Sequence, residues 1–114
     1  MLNNRRTQRP TTKPMGGITL IRQLIRSGDY DYTEKVRELM EEGWFDEEDI
    51  ERCIETGEVC KKQKDEMKNS VGCKKYTILG RDCAGASFYC AGKIVRGEEG
   101  KLFLVITAHG RTRS

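Results

Sequence analysis

Apolar residues in the first half of the chain recur every three or four positions, which predicts short amphipathic helices. The first helix is predicted from the apolar positions within residues 20–25, with Thr19 as its N-terminal cap and Gly28 as its left-handed end. The second is predicted to begin after Thr33 and to end at Gly43. Each of these helices therefore has a capping side chain at one end and a glycine at the other.

A third helix is predicted by several features that agree with one another. Asp46 is placed to cap it, and Phe45 and Ile50 have the spacing of a hydrophobic staple. The acidic residues 47–49 fall in the first turn, where the helix dipole favours negative charge. Gly57 is predicted to end this helix.

The second half of the chain has the composition of strands separated by turns. Strands are predicted at residues 76–79, 87–95 and 102–108, with hairpin turns at 80–85 and 97–100 and a fourth strand at 59–61. Residues 102–106 are apolar at every position, so we expect this strand in the interior of the sheet. The pattern predicts an α+β domain in which three N-terminal helices pack on a three- to four-stranded antiparallel meander.

The length of 114 residues fits one domain, which we place at residues 17–110. Residues 1–16 are polar and basic and predict a flexible arm, and residues 111–114 are a short tail. No apolar run approaches the length of a membrane span, and the N-terminus lacks a secretory signal pattern. We therefore expect a cytoplasmic protein with no membrane partner.

The five cysteines predict reduced thiols, because an odd number without a signal sequence disfavours a disulfide framework. No two of them have the short spacing typical of zinc ligands, so we expect no metal and no cofactor. Cys53 and Cys90 fall on inward positions and predict core residues. Cys73 and Cys83 flank one strand, which leaves a metal or redox site as the alternative.

Charge is unevenly distributed along the chain. Residues 29–58 contain 13 acidic and 3 basic side chains, whereas residues 59–114 contain 12 basic and 5 acidic ones. Because the acidic segment is predicted helical and the basic one is predicted to form strands, the folded surface is expected to be sorted by charge as well. A basic strand surface favours a polyanion as partner.

Residues 32–50 resemble the signature of a family of small bacterial domains of unknown function, often grouped with the RelE and MqsR type of toxin ribonucleases. The resemblance extends over about residues 18–109. It implies a RelE-like α+β fold, RNA as the substrate and a neutralising, antitoxin-like protein as a partner. The matching residues are capping, packing and turn positions, namely Thr33, Met40, Glu41, Gly43, Asp49 and Ile50.

The chain departs from that signature at the positions that carry chemistry. Lys35 stands where the signature has histidine, and Leu39 and Glu42 stand where it has arginines. Lys35 is therefore the one catalytic candidate that the motif supplies.

The remaining candidates lie on the predicted strands or next to their ends. His109 is the sole histidine and ends the interior strand, where alternation places it on one face with Phe103, Val105 and Thr107. Imidazole exchanges protons near neutral pH and suits general acid–base cleavage of an RNA phosphodiester. Since RelE-like enzymes gather Lys, Arg and Tyr on the sheet, Lys93, Tyr76 and Arg81 are further catalytic candidates. Contacts to nucleic acid are predicted for Lys74, Lys75, Arg96 and Lys101.

Two hypotheses of function follow. The first is a metal-independent, toxin-type endoribonuclease, supported by the resemblance, the basic strand half and His109. The second is a non-enzymatic module that binds protein or nucleic acid and has kept the fold without catalysis, as the departures at residues 35, 39 and 42 favour.

Overall fold

Three helices pack on one face of a sheet in this computed structural model, which describes residues 17–110. They are α1 (Ile18–Arg26), α2 (Glu34–Glu41) and α3 (Glu47–Thr56). The predicted arm at residues 1–16 and the tail at 111–114 lie outside the described residues. No helix in the described range is long and apolar enough to cross a membrane.

The sheet has five strands in the order β1-β5-β4-β3-β2. They are β1 (Tyr30–Tyr32), β2 (Glu58–Lys64), β3 (Lys74–Arg81), β4 (Ser87–Gly97) and β5 (Gly100–Gly110), with a 3₁₀ turn at Val71–Cys73 before β3. Strands β2 to β5 form an antiparallel meander, and β1 pairs parallel to β5.

The predicted three- to four-stranded antiparallel meander is therefore wrong, because the sheet is mixed and has a fifth strand. β1 is three residues of Tyr-Asp-Tyr between two helices, too short to produce a period of its own. It exists because the outer edge of β5 offers unpaired backbone groups, and Tyr30 to Tyr32 pair with Phe103 to Val105. This added strand makes β5 an interior strand, as its apolar sequence predicted.

Helix ends follow the sequence where the local chemistry is strong. Asp46 and Asp49 form a reciprocal capping box, since each side chain accepts the backbone N–H of the other residue. Gly28 and Gly43 both have the left-handed backbone that their positions predicted. The predicted cap at Thr19 is wrong, because α1 already begins at Ile18.

One extra residue in β5 changes which side of the sheet its last residues face. Thr107 pairs with Ala91 and Val105 pairs with Gly92, so Ile106 is a bulge. Phe103 and Val105 are fully buried under the helices, and after the bulge Ala108 takes the buried position. His109 consequently faces the side opposite to Phe103 and Val105. The sequence prediction that it shares their face is wrong, because simple alternation does not anticipate a bulge.

The end of α3 lies unusually close to β3, and this contact fixes how the helices sit on the sheet. A Cβ atom added at Gly80 would lie 2.2 Å from the carbonyl oxygen of Cys53 and 2.9 Å from the Cα atom of Gly57. Both neighbours belong to backbone, which cannot move aside cheaply. Gly80 therefore permits the helix to pack directly against the strand.

Replacing Gly80 by alanine should separate α3 from β3 and lower the free energy of unfolding by about 1–3 kcal/mol. Urea unfolding followed by circular dichroism measures this. Gly97→Ala is the matched control, because its nearest neighbour is the flexible end of the Leu102 side chain at 2.9 Å. Equal stability of the two variants would contradict the close approach of helix and strand.

Candidate nucleic-acid interface

A cleft of about 380 Å³ lies between α2 and the end of β5. β1 stops pairing at Tyr32, and Thr33 then donates its N–H to the carbonyl of Val105 and its hydroxyl to the carbonyl of Ile106. The chain turns into α2 at this point, so within residues 17–110 the end of β5 has a strand on one side only. The cleft is lined by Lys35, Leu39, Trp44 and Phe45 and by residues 107–110.

Two of the predicted catalytic residues border this cleft. Lys35 lines it from α2 and His109 lines it from β5. The imidazole of His109 packs edge-on against the ring of Tyr89, with 4.1 Å between the centroids. Trp44 stands at the margin with 51% of its surface exposed. The cleft is thus bordered by a lysine, by His109 and by an exposed aromatic ring, while the imidazole itself packs on Tyr89 at the sheet side opposite to the helices.

The sheet face opposite to the helices, which we call the open face, carries His109 together with residues from three other strands. Cross-strand pairing places Leu79, Tyr89 and His109 in one row. Thr77, Ala91 and Thr107 form the next row, and Lys61 of β2 extends it. Arg81 lies beyond the first row, at the same end of the sheet as His109.

Lys93 also belongs to the open face, but the structure buries it. Its side chain is 7% exposed, and its ammonium group lies 3.4 Å from both carboxylate oxygens of Asp65. The amide oxygen of Asn69 accepts a further hydrogen bond from Lys93. The segment 65–70 therefore covers Lys93, which stabilises the connection from β2 to β3 and does not reach the cleft.

Asp65 anchors this covering segment through several contacts. Its carboxylate accepts hydrogen bonds from the Ser70 hydroxyl at 2.7 Å and from the Met67 N–H at 3.1 Å. The bond from Ser70, then those from Met67 and Lys93, hold the pKa of Asp65 below its usual value although burial opposes this. Asp65 is fully buried, so its charge depends on these partners.

Two further catalytic candidates occupy different sides of the sheet. Tyr76 is buried on the helix side, beneath the Nζ atom of Lys62 at 5.7 Å from its ring centre, and it is remote from His109 in the sheet register. Arg81 is exposed on the open face, where its guanidinium donates to the carbonyl of Gly85 in the β3–β4 turn. The structure thus brings Lys35, His109 and Arg81 to one end of the sheet and leaves Tyr76 elsewhere.

The predicted nucleic-acid contacts divide in the same way. Lys75 pairs with Gln63 and belongs to the open face. Lys74 alternates with it and faces the helix side. Arg96 and Lys101 pair with each other near the β4–β5 turn, at the far end of the sheet and on the helix side. Of these four residues, Lys75 is therefore the one that shares a sheet face with His109.

Sequence reasoning missed two residues of the open face, Tyr89 and Lys61. Tyr89 alternates with the buried residues Phe88 and Cys90, and that alternation was a usable indication of its position. Lys61 had no such indication, because a bulge at Cys60 shifts the β2 register.

Most of the acidic segment lies on the helix side. The predicted sorting of charge is only partial, because basic residues also lie on that side, namely Lys62, Lys74, Arg96 and Lys101. α2 and α3 carry most of the segment's carboxylates, and the hydroxyl of Tyr30 lies within hydrogen-bond distance of both Glu47 and Glu51. The bond to Glu47, followed by burial, raises the pKa of Tyr30 above its usual range. The helix side near α3 is thus unsuited to a polyanion.

Two of the cysteines are buried as predicted, Cys53 and Cys90, and Cys60, Cys73 and Cys83 are exposed. Cys73 and Cys83 flank opposite ends of β3, so the alternative site that required them to meet is wrong. Among residues 17–110, no group of three or more His, Cys, Asp or Glu side chains is arranged to hold a metal ion.

The fold and cleft define a small α+β domain in which helices cover one side of a mixed sheet. The chain belongs to the family described as a domain of unknown function, DUF4258, whose model matches residues 32–109. No curated protein and no solved structure matches it. The predicted family of unknown function is thus confirmed, while nothing links the chain to RelE or MqsR toxins.

The contacts of Asp65 make stability depend on pH. Because folding lowers the pKa of Asp65, these contacts stabilise the fold above about pH 4, the value for an unfolded aspartate, and are lost as the pH falls through the lower folded value. Asp65→Asn should therefore be less stable than the natural protein at neutral pH, and the difference should shrink in acid. Urea unfolding at a series of pH values measures it.

Glu98→Gln, an exposed change in the β4–β5 turn, is the control and should keep the natural pH dependence. A constant difference between Asp65→Asn and the natural protein at every pH would contradict the role given to the Asp65 carboxylate.

Proposed function

We propose that the cleft between α2 and β5 binds RNA and cleaves it without a metal ion. The observation that carries the proposal is that His109 and Lys35, which are distant in the sequence, line one cleft beside an exposed tryptophan. An imidazole can serve as general base and an ammonium group can stabilise the transition state in RNA cleavage by internal attack, and an aromatic surface can stack a base.

In the proposed reaction, His109 removes the proton of a ribose 2′-hydroxyl. The 2′-oxygen attacks the adjacent phosphorus, and the bond from phosphorus to the 5′-oxygen breaks. The ammonium group of Lys35 balances the additional negative charge on the phosphate oxygens in the transition state. The leaving 5′-oxygen takes a proton from water at the open side of the cleft. The products carry a 2′,3′-cyclic phosphate and a 5′-hydroxyl.

A second candidate function is RNA binding without cleavage. It is favoured by the burial of Lys93 and Tyr76, which removes two predicted catalytic groups and leaves His109 and Lys35 as the predicted catalytic residues at the cleft. The neutralising protein implied by the family resemblance stays a prediction under either function.

The purified protein should cut single-stranded RNA in the presence of a chelator and leave cyclic phosphate ends. His109→Ala should slow cleavage by about 100-fold or more, the usual contribution of a general base. Lys35→Met should slow it by about 100-fold through lost transition-state stabilisation. Gel analysis with mass spectrometry of the ends measures both.

Lys62→Met is the matched control for Lys35→Met, since Lys62 lies on the edge strand above Tyr76 and away from the cleft. Its cleavage rate should equal that of the natural protein. RNA that is bound but stays intact over long incubation would reject the ribonuclease and favour the binding module.

A further inference from the structure

We infer that the open face binds unpaired nucleotides of single-stranded RNA, with one base stacked on Tyr89. This inference rests on the proposed function, because the same RNA strand leads to His109 in the cleft. It specifies the substrate class as RNA with unstacked bases and adds a binding surface outside the cleft.

The surface has the form of a shallow trough that crosses the strands. Its floor is the row of small and hydroxyl side chains formed by Thr77, Ala91 and Thr107. The row of Leu79, Tyr89 and His109 borders it on one side. On the other side stands the segment 65–70, held over Lys93 by the buried ion pair with Asp65.

The dimensions of the trough suit an extended strand of nucleotides. Lys61 on β2 and Thr107 on β5 are three strand spacings apart, about 14 Å at the usual separation of neighbouring strands. The trough ends at Thr107 and His109, which also line the cleft. A strand laid across the sheet therefore reaches His109 at the sheet edge, next to the cleft that Lys35 lines.

Tyr89, in the row that borders the trough, is the reason for assigning unpaired bases to this surface. Tyr89 lies in the middle of the sheet with its ring partly exposed and supported by the imidazole of His109. Aromatic side chains on an open sheet bind RNA by stacking on splayed bases, whose faces are hidden in a duplex. Leu79, 40% exposed beside Tyr89, extends the apolar contact surface.

Charge complementarity favours RNA as the occupant. Lys61, Lys75 and Arg81 surround the trough and form no ion pair among residues 17–110. Asp31 and Asp65, which also belong to this side, are neutralised by Arg37 and Lys93 respectively. The carboxylate of Glu58 remains at the outer edge, beside Leu79. The cations around the floor thus exceed the uncompensated acids.

Binding of a short, fluorescently labelled 2′-O-methyl RNA tests the trough separately from cleavage, because this RNA lacks the attacking hydroxyl. Tyr89→Ala should weaken binding about tenfold or more through loss of one stacked base, whereas Tyr89→Phe should bind like the natural protein. Fluorescence anisotropy measures both affinities. Thermal unfolding of the two variants shows whether each remains folded.

Neighbouring lysines on β2 provide a matched test of the electrostatic contribution. Lys61 belongs to the open face, whereas Lys62 lies over Tyr76 on the helix side. Lys61→Met should reduce the dependence of log affinity on log salt concentration by about 0.7, the value for one phosphate contact on a single strand. Lys62→Met removes the same charge and should leave the dependence unchanged.

The outcomes separate the trough from the proposed catalysis. Natural affinity in both Tyr89→Ala and Lys61→Met would overturn the trough, even if His109→Ala still abolished cleavage. Weakened binding in both, with no cleavage of ordinary RNA by the natural protein, would support the trough and reject the ribonuclease. Equal affinity for duplex RNA, or for a polyglutamate peptide, would overturn the assignment to unpaired bases.

Discussion

The bulge at Ile106 is the feature on which the arrangement of the candidate site depends. It breaks the alternation of β5 after Val105, so that Ala108 enters the core and His109 turns to the open face. At the same position Thr33 donates to the carbonyls of Val105 and Ile106, which ends β1 and begins α2. One extra residue therefore determines both the direction of the imidazole and the position of the helix that carries Lys35. Without the bulge, the imidazole would compete with Phe103 and Val105 for the helix-covered side.

The buried ion pair between Lys93 and Asp65 determines the other border of the open face, which is the segment 65–70. Removing Lys93 and Asp65 from water is costly, and the cost is offset by their mutual attraction and by hydrogen bonds from Ser70 and to Asn69. The polar segment 65–70 thereby gains a fixed position over the sheet that its composition alone would not give it. Because the charge of Lys93 is buried in this ion pair, the exposed positive charge of the open face comes from residues around its floor, namely Lys61, Lys75 and Arg81.

The sequence predicted those features that arise from local chemistry. Asp46, Phe45 and Ile50 specify α3 within a few residues, and the left-handed glycines 28 and 43 end their helices as expected. It did not predict features decided by pairing between distant segments. β1 is too short to be periodic and depends on the free edge of β5. The bulges at Cys60 and Ile106 change which side of the sheet the following residues face, and no particular residue type marks these two positions. The candidate site was accordingly predicted in part: His109, Arg81 and Lys75 were named, but not the open face that carries them.

The departure from the family signature at residue 35 has a different meaning in three dimensions than in the sequence. In sequence, lysine in place of histidine suggests that a catalytic group has been lost. In the fold, Lys35 of α2 and His109 of β5 border the same cleft at the edge of the sheet, so a histidine lies near this helix position although the helix does not carry it. A lysine at the helix position supplies an ammonium group at this cleft, whereas the neutral form of a histidine carries no charge. The presence of a lysine and a histidine at one cleft is a chemical reason to keep this region as the candidate site despite the departure at residue 35.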